Sequence, residues 1–474
     1  MARLMEKSIA EQLKPIFEPR SVAVIGASAD MGKFGGRAFL HPLHTGYRGA
    51  LYPVNSNRAE VAGVKAYPSI LDIPDEVDLA VLAVAAQYVP QIMEDCVKKG
   101  VKGVVMITAG FAEIGEEGKR LEEEVVRIAH RGGIRFVGPN CNGIWTSRVR
   151  LNLTFDFAPQ PGPISFISQS GTLGGYLFQV ATSKGYGFSK FVSSGNQASL
   201  GMADYVEYLG QDDDTRVIVL YMEGIQGGRR LFEVAREVVK RKPIVLYKGG
   251  RTAPGSRATK SHTASLAGSD EVFEALCRQA GLIRCYEAMH PFDIAEALSY
   301  QPVPRGTRVT IIGSGGQCVT TTDACASMGL ELPEFDDDTK RRLKSLLAEH
   351  APVPTNPIDT AATPDPMIVA KILEVVCALD YIDGVICSGP MPGWRGTVDD
   401  IRNTLAQAEA LISIPKKYGK SLVCTAMRWH RSEMGLDLMR QAGIPYYTTP
   451  EESARAMWGL MRYGEIRRQV GADV

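Results

Sequence analysis

Ser21-Val-Ala-Val-Ile-Gly26-Ala-Ser-Ala-Asp-Met-Gly32-Lys-Phe-Gly35-Gly36 passes from an apolar run, through a glycine-bearing turn, toward a helix. A turn of this kind lets backbone approach a phosphate closely, and the helix start supplies N–H donors. It is not G-x-G-x-x-G, because five residues separate Gly26 from Gly32. The next apolar run ends in Val54-Asn55, with no acid to hold a ribose hydroxyl, which argues against NAD. The stretch reads as a nucleotide-like binding turn, with a turn needed only for packing as the rival reading.

Outward from it, apolar runs alternate with amphipathic stretches. Leu79 to Val84, Gly103 to Thr108 and Arg135 to Val137 read as strands, and Gln91 to Lys99 and Glu116 to Arg131 as helices. Such alternation predicts a parallel sheet covered on both faces, in the order of a dinucleotide-type fold. The pattern restarts after Pro159-Gln-Pro-Gly-Pro163, read as a linker, with strands at Ile164 to Ile167, Phe191-Val192, Val217 to Tyr221 and Pro243 to Tyr247. It restarts again at Arg308 to Ile312, with further strands at Gly384 to Cys387 and Ser421 to Cys424. The expectation is α/β throughout, in three domains covering 1–146, 147–300 and 301–474.

Length and composition agree. The chain has 474 residues, 45% of them hydrophobic and 22% charged, which is globular usage. Its 53 basic residues balance 53 acidic ones, so nothing steers it to nucleic acid or an anionic membrane. No apolar run is long enough to span a bilayer, and the charged start is not signal-like, so a cytoplasmic location is expected. Nine cysteines without a C-x-x-C pair predict buried thiols, with no metal site and no disulfide framework.

Several loops follow strands and so fall at a carboxyl edge, where ligands bind in this architecture. Thr108-Ala-Gly-Phe111 and Gly138-Pro-Asn-Cys-Asn-Gly143 are two of them. Cys141 is either filler or a neighbour of a thiol cofactor. Ser168-Gln-Ser-Gly-Thr172 suits an oxyanion, although alone it reads as an N-cap. Lys248 to Gly268 reads as an unusually long loop holding one histidine, His262, among Arg257, Lys260, Ser261 and Thr263. His262 is either an exposed loop residue or an acceptor of a phosphoryl group on a ring nitrogen. Glu223, after the Val217 to Tyr221 strand, is either a solvated carboxylate or the partner that fixes the imidazole tautomer.

Taken together, V-I-G-A-S, G-P-N-C, S-Q-S-G, G-N-Q-A at Gly195 to Ala198, the glutamate after a strand, and S-H-T-A-S-L-A-G resemble the nucleoside-diphosphate-forming acyl-CoA synthetases. That superfamily includes succinyl-CoA synthetase, and the match is best to α subunits of ADP-forming acetyl-CoA synthetase. The resemblance covers nearly the whole chain. It implies a Rossmann-like CoA-binding domain followed by two flavodoxin-like domains. It implies CoA at Gly26, Ser28, Gly32, Gly35, Val54, Asn55, Thr108, Ala109, Gly110, Phe111, Asn140 and Cys141. It implies phosphate at Ser168, Ser170, Gly171 and Thr172, and a phosphohistidine at His262 stabilised by Glu223. The implied reaction is acyl-CoA + phosphate + ADP ⇌ acid + CoA + ATP, through an acyl phosphate. Mg-ATP or ADP would sit mainly on a separate ATP-grasp β subunit, since no sequence for one follows the third α/β unit, and an α2β2 assembly is implied.

Two positions depart from the family pattern. Ala264 stands where S-H-T-G is usual, and Gly313-Ser-Gly-Gly316 where T-N-A-G-G is frequent, while Asn356-Pro-Ile-Asp359 matches. A catalytically inactive CoA-binding or regulatory module is the alternative function. Retention of His262, Glu223 and the Ser168 to Thr172 stretch argues against it.

Overall fold

A computed structural model describes residues 8–153, 155–157, 159–263, 269–361, 363, 365, 367–388, 398–425 and 438–472. The chain forms two compact units, Met1–Ala288 and Met289–Val474.

The first unit begins with α1 (Ile9–Phe17), β1 (Ser21–Ile25), α2 (Phe34–Thr45), β2 (Ala50–Val54) and a small hairpin, β3 (Glu60–Val61) with β4 (Val64–Lys65). It continues through β5 (Leu79–Leu82), α3 (Val89–Lys99), β6 (Gly103–Met106), α4 (Glu116–Arg131) and β7 (Arg135–Val137). The five longer strands form one sheet in the order β2-β1-β5-β6-β7, and every pairing is parallel. β1, β5 and β6 are buried along their whole length, as expected of strands with helices on both faces. Sheet order reverses at β1, so the loops leaving β1 and β5 open side by side at the carboxyl edge.

A second sheet in the same unit uses β8 (Ile144–Thr146), β9 (Leu151–Asn152), β10 (Pro161–Ser168), β11 (Phe188–Ser193), β12 (Val217–Met222), β13 (Ile244–Lys248) and β14 (Ile283–Cys285). Its order is β14-β13-β12-β10-β11-β8-β9, parallel from β14 to β11, with β8 and β9 added antiparallel. The helices α5 (Gly171–Ser183), α6 (Met202–Gln211), α7 (Gly228–Val238), α8 (Ala253–Thr263) and α9 (Asp270–Ala280) connect the strands. Aromatic rings fill the space under α5: Phe178 stacks on Phe191 at 4.8 Å and meets Phe188 edge-on at 4.5 Å.

Two expectations change here. Pro159 to Pro163 does not separate sheets, because β8 and β9 upstream already pair in the second sheet and β10 starts at Pro161. The prolines fit at the irregular head of β10, where the register with β11 shifts and a missing N–H is tolerated. The long loop after β13 is helical over Ala253–Thr263. Pro254 sits in the first turn, where its fixed φ suits a helix, and the Thr252 hydroxyl accepts from the Gly255 N–H at 3.2 Å. Residues 264–268, including Ala264, lie outside the described residues.

The second unit has one parallel sheet, ordered β16-β15-β17-β18-β19, from β15 (Val309–Gly313), β16 (Ile358–Asp359), β17 (Gly384–Ser388), β18 (Ser421–Thr425) and β19 (Tyr446–Tyr447). Around it lie α10 (His290–Tyr300), α11 (Gly316–Ser327), α12 (Asp337–Leu346), α13 (Ile368–Cys377), α14 (Val398–Tyr418) and α15 (Pro450–Gln469). α10 and α15 lock together, with Arg455 donating to the Asp293 carboxylate at 3.0 Å. The Gly313 to Gly316 turn joins β15 to α11, and the Gly315 N–H donates to Asp359 of the N-P-I-D segment at 3.1 Å. All nine cysteines are buried and unbridged. Among the described residues no helix is long and apolar enough to cross a membrane.

Candidate functional site

A cleft of about 970 Å³ opens in the first unit where the carboxyl edges of its two sheets meet. Its walls come from the loops after β1, β5, β6 and β7, from α4, and from the head of α5.

The loop after β1 is held by short backbone links. Gly26 and Ala27 donate to the Val54 carbonyl at 3.0 and 3.3 Å, and the Asn55 amide donates to the Ala27 carbonyl at 2.9 Å. Ser28 accepts from the Asp30 N–H at 3.1 Å, and Asp30 accepts from the Gly32 N–H at 2.9 Å. Gly26 has φ +88°, and a Cβ there would stand 2.4 Å from the Ala83 carbonyl oxygen. A Cβ on Gly35 would stand 1.9 Å from the Gly26 carbonyl oxygen. These glycines let α2 start against the end of β1. Lys33 is the N-cap of α2 and its side chain makes no capping bond, and Gly32, Lys33, Phe34 and Gly35 line the cleft. A helix start with uncapped N–H groups next to a lysine suits a phosphate.

Of the other residues expected to bind the coenzyme, Thr108, Ala109, Asn140 and Cys141 line the cleft. Val54 and Asn55 stand behind the β1 loop and support it. The Phe111 ring lies in the apolar core, and the N–H groups of Gly110 and Phe111 donate to Glu113 at 2.6 and 3.1 Å. Burial pushes the Cys141 thiol up to about 12, and it donates to the Met106 carbonyl at 3.3 Å. It therefore stays a neutral thiol rather than a nucleophile. In the folded chain at about pH 8, Cys141 should resist alkylation by iodoacetamide and react only after unfolding, as read by peptide mass spectrometry. Modification of the native chain at this residue would contradict its burial.

The second sheet supplies the facing wall, at a helix start of the kind that suits an anion. Ser170 is the N-cap of α5, accepting from the Leu173 N–H at 3.3 Å, and Ser170, Gly171 and Thr172 line the cleft. The Ser168 hydroxyl is fully buried and donates to the Ser170 carbonyl at 2.6 Å, so it shapes the turn instead of facing the cleft. Gln169, which the motif reading passed over, accepts from the N–H groups of Glu223 and Gly224 at 2.6 and 3.2 Å. That brace brings the end of β12 beside the Ser168 to Thr172 turn. The Glu223 carboxylate is buried and accepts from the Tyr221 hydroxyl at 3.1 Å. His262 occupies the last turn of α8, and its side chain lies outside the described residues. At the start of that segment, the Lys248 ammonium is buried and donates to the Gly249 carbonyl at 3.0 Å, and burial lowers its pKa.

Three further residues went unnoticed as site residues. Glu113 and Glu122 line the cleft, and the Asn196 amide donates to both, at 2.6 and 2.9 Å. Asn196 belongs to the quoted G-N-Q-A stretch, but no spacing signal pairs it with a glutamate in the turn after β6 and another in α4. Burial raises Glu113, yet bonds from Asn196 and from the Gly110 and Phe111 N–H groups hold it below its ordinary value. Burial dominates at Glu122, which titrates above its ordinary value despite bonds from Asn196 and Ala112.

With this geometry in view, likeness to known proteins takes on meaning. Residues 20–146 match the CoA binding domain family, and residues 161–298 match the succinyl-CoA ligase-like flavodoxin domain family. The acetate–CoA ligase [ADP-forming] II subunit alpha of Pyrococcus furiosus is 41% identical over 461 residues, covering 97% of this chain and 98% of that one. An acetate–CoA ligase [ADP-forming] I of Archaeoglobus fulgidus is 37% identical over 456 residues, which span 96% of this chain but 64% of that longer one. Among solved structures, a dinucleotide-forming acetyl-coenzyme A synthetase 1 of Ca. Korarchaeum cryptofilum, in complex with phosphate and ADP, superposes with a TM-score of 0.86. It is 33% identical and the overlap covers 97% of this chain and 98% of that one.

Proposed function

Because this chain belongs to the ADP-forming acyl-CoA ligases and is an α subunit of that family, we propose that its cleft joins a CoA site to a phosphate seat served by a phosphohistidine. The observation that carries the reading is the cleft itself, lined at one end by the uncapped start of α2 and at the other by Ser170, Gly171 and Thr172.

CoA, as substrate, brings the thiol that forms the thioester. The β1 loop and the start of α2 bind its phosphates through backbone N–H groups, with Lys33 adding charge. Gly26, Gly32 and Gly35 make that approach possible, Ser28, Val54 and Asn55 hold the loop, and Thr108, Ala109, Gly110, Asn140 and Cys141 form the wall. The phosphate seat orients phosphate for attack on the acyl carbonyl, releasing CoA and leaving an acyl phosphate. His262 then takes the phosphoryl group on a ring nitrogen, freeing the acid, and Glu223 holds the other ring N–H so that the attacking nitrogen keeps its lone pair. The phosphoryl group passes from His262 to ADP.

The acceptor site lies, on this reading, on a separate ATP-grasp β subunit, in an α2β2 assembly located in the cytoplasm. Support comes from relatives named as α subunits and from longer single chains in which the matching part is about two thirds. We also read the chain as three domains, with the expected bounds 146 and 300 moved to just before β8 and to Ala288, because β8 pairs in the second sheet and α10 belongs to the second unit. The test is ATP formation from acyl-CoA, phosphate and Mg-ADP by the chain alone, by an ATP-grasp partner alone, and by the mixture. Only the mixture should turn over, and sustained turnover by this chain alone would refute the two-subunit reading.

A further inference from the structure

The cleft's two halves come from different sheets, and one side chain joins them. Asn196 lies in the loop after β11, where its N–H donates to the Pro139 carbonyl at 2.9 Å and its side-chain oxygen accepts from Asn140 at 3.3 Å. The loop presses tightly there: Gly195 has φ +58°, and a Cβ on it would stand 2.2 Å from the Pro139 oxygen. An amide NH2 has two hydrogens, and Asn196 gives them to two different carboxylates, Glu113 and Glu122. Glu113 in turn gathers the N–H groups of Gly110 and Phe111, and Glu122 accepts from Ala112 at 3.4 Å.

We propose that Asn196 is a positioning residue for CoA: its amide bridges two carboxylates by hydrogen bonds and so fixes the 110–113 wall of the cleft against the Asn140 loop. The proposal rests on the cleft being the CoA site. It explains why glutamates stand in a cleft meant for an anionic ligand: Glu113 and Glu122 are spent on the wall and on Asn196. Burial pushes both acids up, and bonds from Asn196 and from the Gly110 and Phe111 N–H groups bring Glu113 below its ordinary value while Glu122 stays above its own. The other charged groups lining this part of the cleft are Glu116, Lys119 and Glu123 from α4 and Lys33 from the head of α2.

The test is CoA binding to the full chain by titration calorimetry. Asn196→Asp keeps shape but brings three carboxylates together. It should weaken CoA binding by about tenfold or more near pH 8 relative to wild type. The deficit should shrink near pH 5.5, as one of the three acids takes up a proton. Adding Glu122→Gln to Asn196→Asp returns the cluster from three carboxylates to two, with the introduced amide free to donate to the introduced carboxylate, and should recover part of the lost affinity. Asn196→Ala, which deletes the side-chain bonds to Glu113, Glu122 and Asn140, should lose affinity near pH 8, and it carries the test should Asn196→Asp fail to fold. Wild-type affinity in Asn196→Asp or in Asn196→Ala, or no rescue by Glu122→Gln, would overturn the proposal. Absence of CoA binding by wild type would instead overturn the CoA reading on which it rests.

Discussion

His262→Asn is expected to abolish ATP formation from acyl-CoA, phosphate and Mg-ADP, lowering turnover by about 10,000-fold or more, as loss of a covalent nucleophile does. Asparagine approximates the size of imidazole but has no ring nitrogen to accept a phosphoryl group. CoA binding to the same variant should stay within about threefold of wild type, because the residues lining the cleft remain intact. This split separates a phosphoryl carrier from a residue that maintains the fold, since a misfolded chain loses both. Glu223→Gln should give a lesser loss, because an amide still fills the buried position and keeps a bond to Tyr221. Wild-type turnover in His262→Asn would remove the phosphohistidine from the reaction.

Gly35→Ala is expected to have the second largest effect. Its methyl group would stand 1.9 Å from the Gly26 carbonyl oxygen, and the obstacle is backbone rather than a movable side chain. Either the start of α2 or the end of β1 must shift, at a cost of about 3 kcal/mol. The N–H groups that face the cleft from this turn move with it, so CoA affinity should fall by about 100-fold or more. The measurement is calorimetric titration with CoA beside a thermal melt. A variant that binds CoA as wild type does would place the coenzyme elsewhere.

Much of this arrangement is legible in the sequence because it is local. The apolar run Ser21 to Ile25 is a fully buried strand, and Glu116 to Arg131 is a helix over those same residues. Strand–turn–helix order fixes which loops share an edge, so Gly26, Thr108, Asn140 and Ser170 meet at one cleft despite lying far apart along the chain. Illegible features are of two kinds. Asn196 with Glu113 and Glu122 depends on two sheets meeting, and no periodicity records such a meeting. Ser168 and Phe111 belong to stretches read as ligand-binding but turn inward, one to a carbonyl and the other to the core, and side-chain direction at a turn is set by tertiary packing. The glycines and hydroxyls of Lys248 to Gly268 suggest a loop, yet Pro254 at a helix start and the Thr252 hydroxyl beneath it favour α8.

On this reading phosphate travels through His262. With the ATP-grasp partner, magnesium and ATP labelled at the terminal phosphate, the chain should acquire label that is stable in base and lost in acid. Tryptic mapping should find that label on the peptide Ser261 to Arg278, at His262. Label that survives acid, or that maps to any other peptide, would contradict it.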